Sequence, residues 1–244
     1  MRSWTPLILI SGLVCAASTS ISAASLQVAP VLFEFPAGKA ADTLTLTNEG
    51  QAELNAQVRV VRWTQIDGVE KTEPTTDIVA SPPVVTVGPG GSQVVRLVRV
   101  SKKPVLGEES YRVTVDELPD KSQLRPNEVG FTFKYSIPIF FMAELGGNSH
   151  LTWAIEKIKD TTFVSAKNDG NRRVRIAGLT LTPAGGKNFI LGKGLNGYVL
   201  SGSSMRWELP KTVSVGSNGP VTITARSDEG PINVTAQAQV SARR

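Results

Sequence analysis

Along most of the chain apolar and polar residues alternate with a period of two, the pattern of strands that bury one face. Residues 28–35, 43–47, 56–63, 84–87, 94–100 and 111–118 are β-branched or alternating. Turn chemistry separates them: Asn48-Glu49-Gly50, Asp67-Gly68, Ser81-Pro82-Pro83 and Gly88-Pro89-Gly90-Gly91. Residues 129–142 form the longest strand signal. Residues 143–148 then break the pattern with paired glycines and polar neighbours, as an inter-domain linker does. Strands resume at 151–157, 162–166, 174–182, 196–200, 204–209, 221–226 and 232–240, with no apolar stripe at helical spacing in any window. The pattern predicts an all-β protein of two immunoglobulin-like β-sandwich domains in tandem. The expected division is residues 25–143, a linker at 144–148, and residues 149–244.

The first residues read differently. Met1 and Arg2 open a short basic region, and residues 7–17 form an apolar run. That run is shorter than the roughly 20 residues a membrane-spanning helix needs. Small residues follow, with Ala23 and Ala24 placed for cleavage, so residues 1–24 are expected to be a removable secretory signal. The only cysteine, Cys15, lies inside it, and Val14 is bulkier than the residue expected before a lipidated cysteine. The exported chain then has no disulfide and no thiolate metal site, and no stable membrane insertion is expected.

Composition narrows the function further. The chain is 41% hydrophobic and 19% charged, with enough apolar material for real cores. A net charge of +5 concentrates only at Arg172, Arg173 and Arg175 and at the final Arg243 and Arg244. No aromatic residues interleave to stack bases, so nucleic acid is not an expected partner. His150 is the only histidine, which leaves no metal pair and no histidine-based triad. Gly88-Pro89-Gly90-Gly91 lacks the lysine ending of a phosphate loop. Glu108-Glu109, Asp116-Glu117 and Asp228-Glu229 are strand neighbours whose side chains point to opposite faces, so none makes a two-carboxylate site by itself. A glycosidase would need distant acids to meet across a cleft. No catalysis, cofactor or metal is expected.

The positive signal is the long central strand. Val129, Phe131, Phe133, Tyr135, Ile137, Ile139 and Phe141 share one face. Its second half suits the inner face of the first sandwich. Val129, Phe131 and Phe133 instead follow a polar, proline-containing connection, residues 119–128, which predicts a hairpin projecting past the sandwich. An exposed apolar row on a strand edge marks a partner site open to β-augmentation.

Several motifs resemble the PapD-like periplasmic chaperones of the chaperone–usher pathway. They are Ser81-Pro82-Pro83-Val84, Gly88-Pro89-Gly90 with Val95-Arg96-Leu97, Glu109-Ser110-Tyr111 through Asp116-Glu117-Leu118-Pro119, and Ile137-Pro138-Ile139-Phe140-Phe141. The last segment is similar to the donor strand of the archaic, sigma-type members. The resemblance implies a periplasmic protein that folds pilus subunits by lending them a strand and delivers them to an outer-membrane usher. Val129, Phe131, Phe133 and Tyr135 are then the donor residues. Members of the family hold the subunit's terminal carboxylate with an arginine in the first strand and a lysine in the donor strand. Here residues 26–35 contain no basic residue, and Pro138 stands at the lysine position. Arg112 becomes the candidate anchor, ahead of Arg96 and Lys134. The family's inter-domain ion pair is matched only by the acids Glu117 and Asp228, with Met142 in place of the arginine. Self-association of the free protein through its exposed edge is left open. The alternative is a pilus structural subunit or adhesin with tandem immunoglobulin-like domains.

Overall fold

The computed structural model describes residues 26–119, 132–158, 161–211 and 219–240. Its strands are β1 (Leu26–Ala29), β2 (Phe33–Phe35), β3 (Ala41–Asn48), β4 (Leu54–Ile66), β5 (Val69–Pro74), β6 (Ile78–Ser81), β7 (Val84–Val87), β8 (Ser92–Arg99), β9 (Glu108–Leu118) and β10 (Lys134–Met142) in the first domain. The second has β11 (Leu151–Ile158), β12 (Thr161–Asn168), β13 (Val174–Pro183), β14 (Phe189–Ile190), β15 (Leu195–Val199), β16 (Ser204–Glu208), β17 (Pro220–Ser227) and β18 (Gly230–Val240).

The first domain is a sandwich of a β1-β3-β8-β6 sheet on a β2-β10-β9-β4-β5 sheet, with β7 also pairing β4. Alternate residues of both sheets supply the core, among them Leu44 and Leu46 from one and Val113, Val115, Ile137 and Ile139 from the other. The chain leaves the first sheet after Ala29 and re-enters the second as β2, parallel to the end of β10. Residues 28–35 are therefore two short strands in different sheets, broken at Pro30, whose missing N–H cannot serve a ladder. In the second domain one sheet runs β14-β13-β17-β18-β11-β12-β16, with β15 on β13, around a core that includes Ile155, Val164, Ile176, Leu181 and Ile223.

The same device closes a turn in each domain. Asn48 and Asn168 are both fully buried, and each begins an Asn-x-Gly turn. Asn48 donates to the carbonyls of Ala52 and Val87 and accepts from the Gly50 amide. Asn168 donates to the Arg172, Val199 and Leu200 carbonyls and accepts from the His150 and Gly170 amides. A side chain at Gly170 would meet the Asn148 carbonyl oxygen at 2.2 Å, so only glycine fits there.

The two domains meet on the outward face of the β4–β9–β10 sheet. Trp63 and Phe140 pack there against Tyr198 and Leu200, with Trp63 edge-on to Tyr198 at 5.7 Å. Gln65 is nearly enclosed. It donates to the Tyr198 carbonyl at 2.7 Å and accepts from the Leu200 amide at 2.9 Å. Arg173, 2% exposed, forms ion pairs with Glu108 and Glu34 and lies 3.6 Å over the Phe140 ring. At the end of the β4–β5 hairpin, the Arg206 amide donates to the Gly68 carbonyl at 3.1 Å.

The hydrogen bonds of the two expected inter-domain acids lie within their own domains. Glu117 lies at the opposite end of β9 from Glu108, where its carboxylate accepts from the Phe133 amide at 3.0 Å. Asp228 accepts from the Arg175 amide within its own domain. Arg173, one of the arginine cluster at 172–175, is buried at the interface.

Candidate functional site

The site follows from how β10 is paired. On one side it is antiparallel to β9 along its whole length, Lys134 opposite Asp116 and Met142 opposite Glu108. On the other, β2 covers only Ile139, Phe140 and Phe141. Among the described residues, that side of β10 has no strand partner from Lys134 to Pro138. Its backbone groups there present an open edge.

The side chains along this stretch divide by face. Ile137, Ile139 and Phe141 are buried in the first sandwich. Tyr135, expected among the donor residues, also packs on that core, and its hydroxyl donates to the Leu26 carbonyl. Phe133 is half-buried, one residue before the start of β10. Its amide donates to Glu117 and its carbonyl accepts from the Glu117 amide at 2.9 Å, which carries the ladder one step past β10. Val129 and Phe131 lie outside the described residues.

The three candidate cations are not brought together. Arg96 is exposed on β8, in the other sheet. Lys134 is two-thirds exposed and pairs with Asp116 at 3.3 Å. That lysine and Arg59 pull the Asp116 carboxyl below the usual range, against the opposing effect of burial. Arg112 is different, because β-sheet register sets it directly opposite Pro138, where the open edge ends. Its guanidinium stacks 3.8 Å over the Trp63 ring and meets both Glu70 oxygens at 3.1 Å. Ser136 Oγ accepts a longer bond at 3.4 Å. Arg112, Arg173 and Arg175 all act on Tyr198; burial drives its phenol pKa up while these cations oppose the shift. The corner between the domains is thus lined by aromatic faces and fixed cations.

Sequence reasoning missed Trp63 and Glu70 as parts of this corner. Trp63 lies on the same side of its strand as Gln65, and only the second domain gives that face a reason to be apolar. Glu70 sits on a strand exposed throughout, which has no hydrophobic alternation to announce it.

Comparison with known proteins agrees with this architecture. Residues 25–143 match the family model of the pili and flagellar-assembly chaperone, PapD N-terminal domain. No curated protein matches the chain in sequence. Among solved structures, the chain is similar to one from the CsuC–CsuE chaperone–tip adhesion subunit pre-assembly complex of archaic Csu pili of Acinetobacter baumannii. Identity is 25% over 89% of this chain and 100% of that one, with a TM-score of 0.69. A chain of the Salmonella enterica SafA pilin–SafB chaperone complex matches at 18% identity, covering 86% of this chain and 95% of that chain, with a TM-score of 0.59. The Pseudomonas aeruginosa CupB2 chaperone matches at 19% identity over 87% and 100% of the two chains, with a TM-score of 0.54.

Proposed function

The chain belongs to the PapD-like pilus-assembly chaperones, and from that premise we propose that it folds pilus subunits in the periplasm by donor-strand complementation. The observation that carries the mechanism is the unpaired side of β10 from Lys134 to Pro138, with half-buried Phe133 at its start. A subunit whose own sandwich lacks a strand would pair its groove edges with that backbone. Phe133, followed in the sequence alternation by Phe131 and Val129, would enter the groove. Burying three such side chains contributes roughly 5–9 kcal/mol gross, before ordering costs are subtracted. Arg112 is the proposed anchor for the subunit's terminal carboxylate, since its register opposite Pro138 and its bond to Ser136 set a cation, stacked on Trp63, beside the end of the open stretch. The bound subunit is handed to an outer-membrane usher, where a neighbouring subunit's strand replaces the chaperone's. The secretory signal at residues 1–24 belongs to the same proposal.

The alternative of a structural subunit is not favoured. Such a domain leaves its core open for a foreign strand, whereas the first sandwich here fills its core with its own β10. Co-expression with a pilin subunit in the periplasm tests the proposal. The chain should co-purify with the subunit one to one and raise its yield. Phe133→Asp should abolish both while leaving the unfolding midpoint of the free protein within a few degrees of wild type. Undiminished co-purification of Phe133→Asp would refute the donor role.

A further inference from the structure

Arg112 is already engaged, and the chemistry of its partner carries an inference that rests on the anchor assignment above. We infer that Glu70 is a resident carboxylate occupying the Arg112 anchor in the empty protein, so that a guest's terminal carboxylate binds by displacing it. Both Glu70 oxygens accept from one guanidinium nitrogen, Arg112 Nη2, at 3.1 Å, so the cation is already paired with the charged group that a guest's terminus would bring. Glu70 is the one acidic partner of Arg112 among the described residues.

The remaining contacts of Arg112 do not depend on Glu70. Stacking at 3.8 Å on Trp63, itself 1% exposed and wedged against the second domain, holds the guanidinium plane in place. Removing the resident carboxylate therefore leaves a preorganised cation and not a collapsed side chain. Glu70 is also free to leave. It projects from β5, an edge strand exposed along its length, and its side chain is 36% accessible against 19% for Arg112. Departure returns the carboxylate to water, so the exchange of one anion for another buries no unpaired charge.

The consequence is selectivity. A free carboxylate must compete with a tethered one and gains little, whereas a guest that also pairs along Lys134–Pro138 has binding free energy from elsewhere to drive the exchange. Partly exposed ion pairs are modest, so the resident carboxylate should weaken carboxylate binding by roughly five-fold.

Nuclear magnetic resonance of the full exported chain reads this directly through the Arg112 Nε–Hε signal, assigned by its loss in Arg112→Lys. The probes are N-acetyl-Val-Thr-Gly with a free carboxylate and the same peptide as its amide. In Glu70→Gln the carboxylate peptide should shift the signal at about five-fold lower concentration than in wild type, with Glu70→Asp restored toward wild type. The amide should leave it unmoved in every variant. Equal titrations of wild type and Glu70→Gln would overturn the resident-carboxylate inference while keeping Arg112 as an anchor. No response in Glu70→Gln, or an equal response to the amide, would remove both. Neither result bears on the donor strand, which the Phe133→Asp co-purification judges separately.

Discussion

Phe133 and Tyr135 stand two residues apart on one face of the same strand, yet their surroundings separate their roles. The Tyr135 ring packs on its own core, and its hydroxyl joins β10 to the Leu26 carbonyl. Phe133 sits one step past the end of β10, half-buried, with its backbone bonded to Glu117. Tyr135→Ala should therefore lower stability by about 2–4 kcal/mol, through a cavity and a lost hydrogen bond. Denaturant unfolding measures this. The variant should still capture subunit in proportion to the folded fraction. Phe133→Asp should do the reverse, keeping stability and losing capture. A Tyr135→Ala protein as stable as wild type would show that its ring makes no contribution to the core.

The elements explain what was readable beforehand. Strands with one buried face announced themselves: β7 at 84–87 coincides with its alternating signal, and β3, β9 and β13 contain theirs. β5, which escaped, has no such face. All six residues of β5 are exposed, with Glu70, Lys71, Glu73 and Pro74 along it. Charges and proline on an edge strand discourage pairing with other chains. β10 has an open edge as well, but only Lys134 is charged there and its one proline, Pro138, stands at the end of the open stretch, so Tyr135, Ser136 and Ile137 between them impose no such barrier. The contrast between the edges of one sheet is itself an argument for which of them receives a guest. The site was half readable for the same reason. Alternation pointed to the central strand, and Arg112 stood among the candidate cations, but its place opposite Pro138 came from the strand register. Trp63 and Glu70 needed the second domain and the β4–β5 hairpin in view.

At the scale of the whole molecule, the interface between domains rests on aromatic packing and one buried ion-pair cluster. Its members are far apart in sequence, Arg173 lying 65 residues from Glu108 and 139 from Glu34, so no local pattern could reveal it. Arg173→Ala would strand a carboxylate that is 1% exposed, a loss of about 3–5 kcal/mol at neutral pH. Burial already pushes the Glu108 pKa up, with Arg173 opposing. Without the arginine the folded-state pKa rises further above the unfolded value. The destabilisation is therefore full above the folded pKa, shrinks as pH falls through it, and vanishes below the unfolded value, where the carboxyl is neutral in both states. Unfolding curves of the variant and wild type should converge on acidification. A gap independent of pH would assign the loss to packing on Phe140.

Amide hydrogen exchange of the free chaperone and of its complex with a pilin subunit addresses the open edge itself. Amides of Phe133–Ile137 that face away from β9 should exchange quickly in the free protein and become strongly protected in the complex. Those on the outer side of β5 should be unchanged. A complex in which the exchange of this stretch matches the free protein would contradict the account, because the guest would then be held somewhere other than along β10.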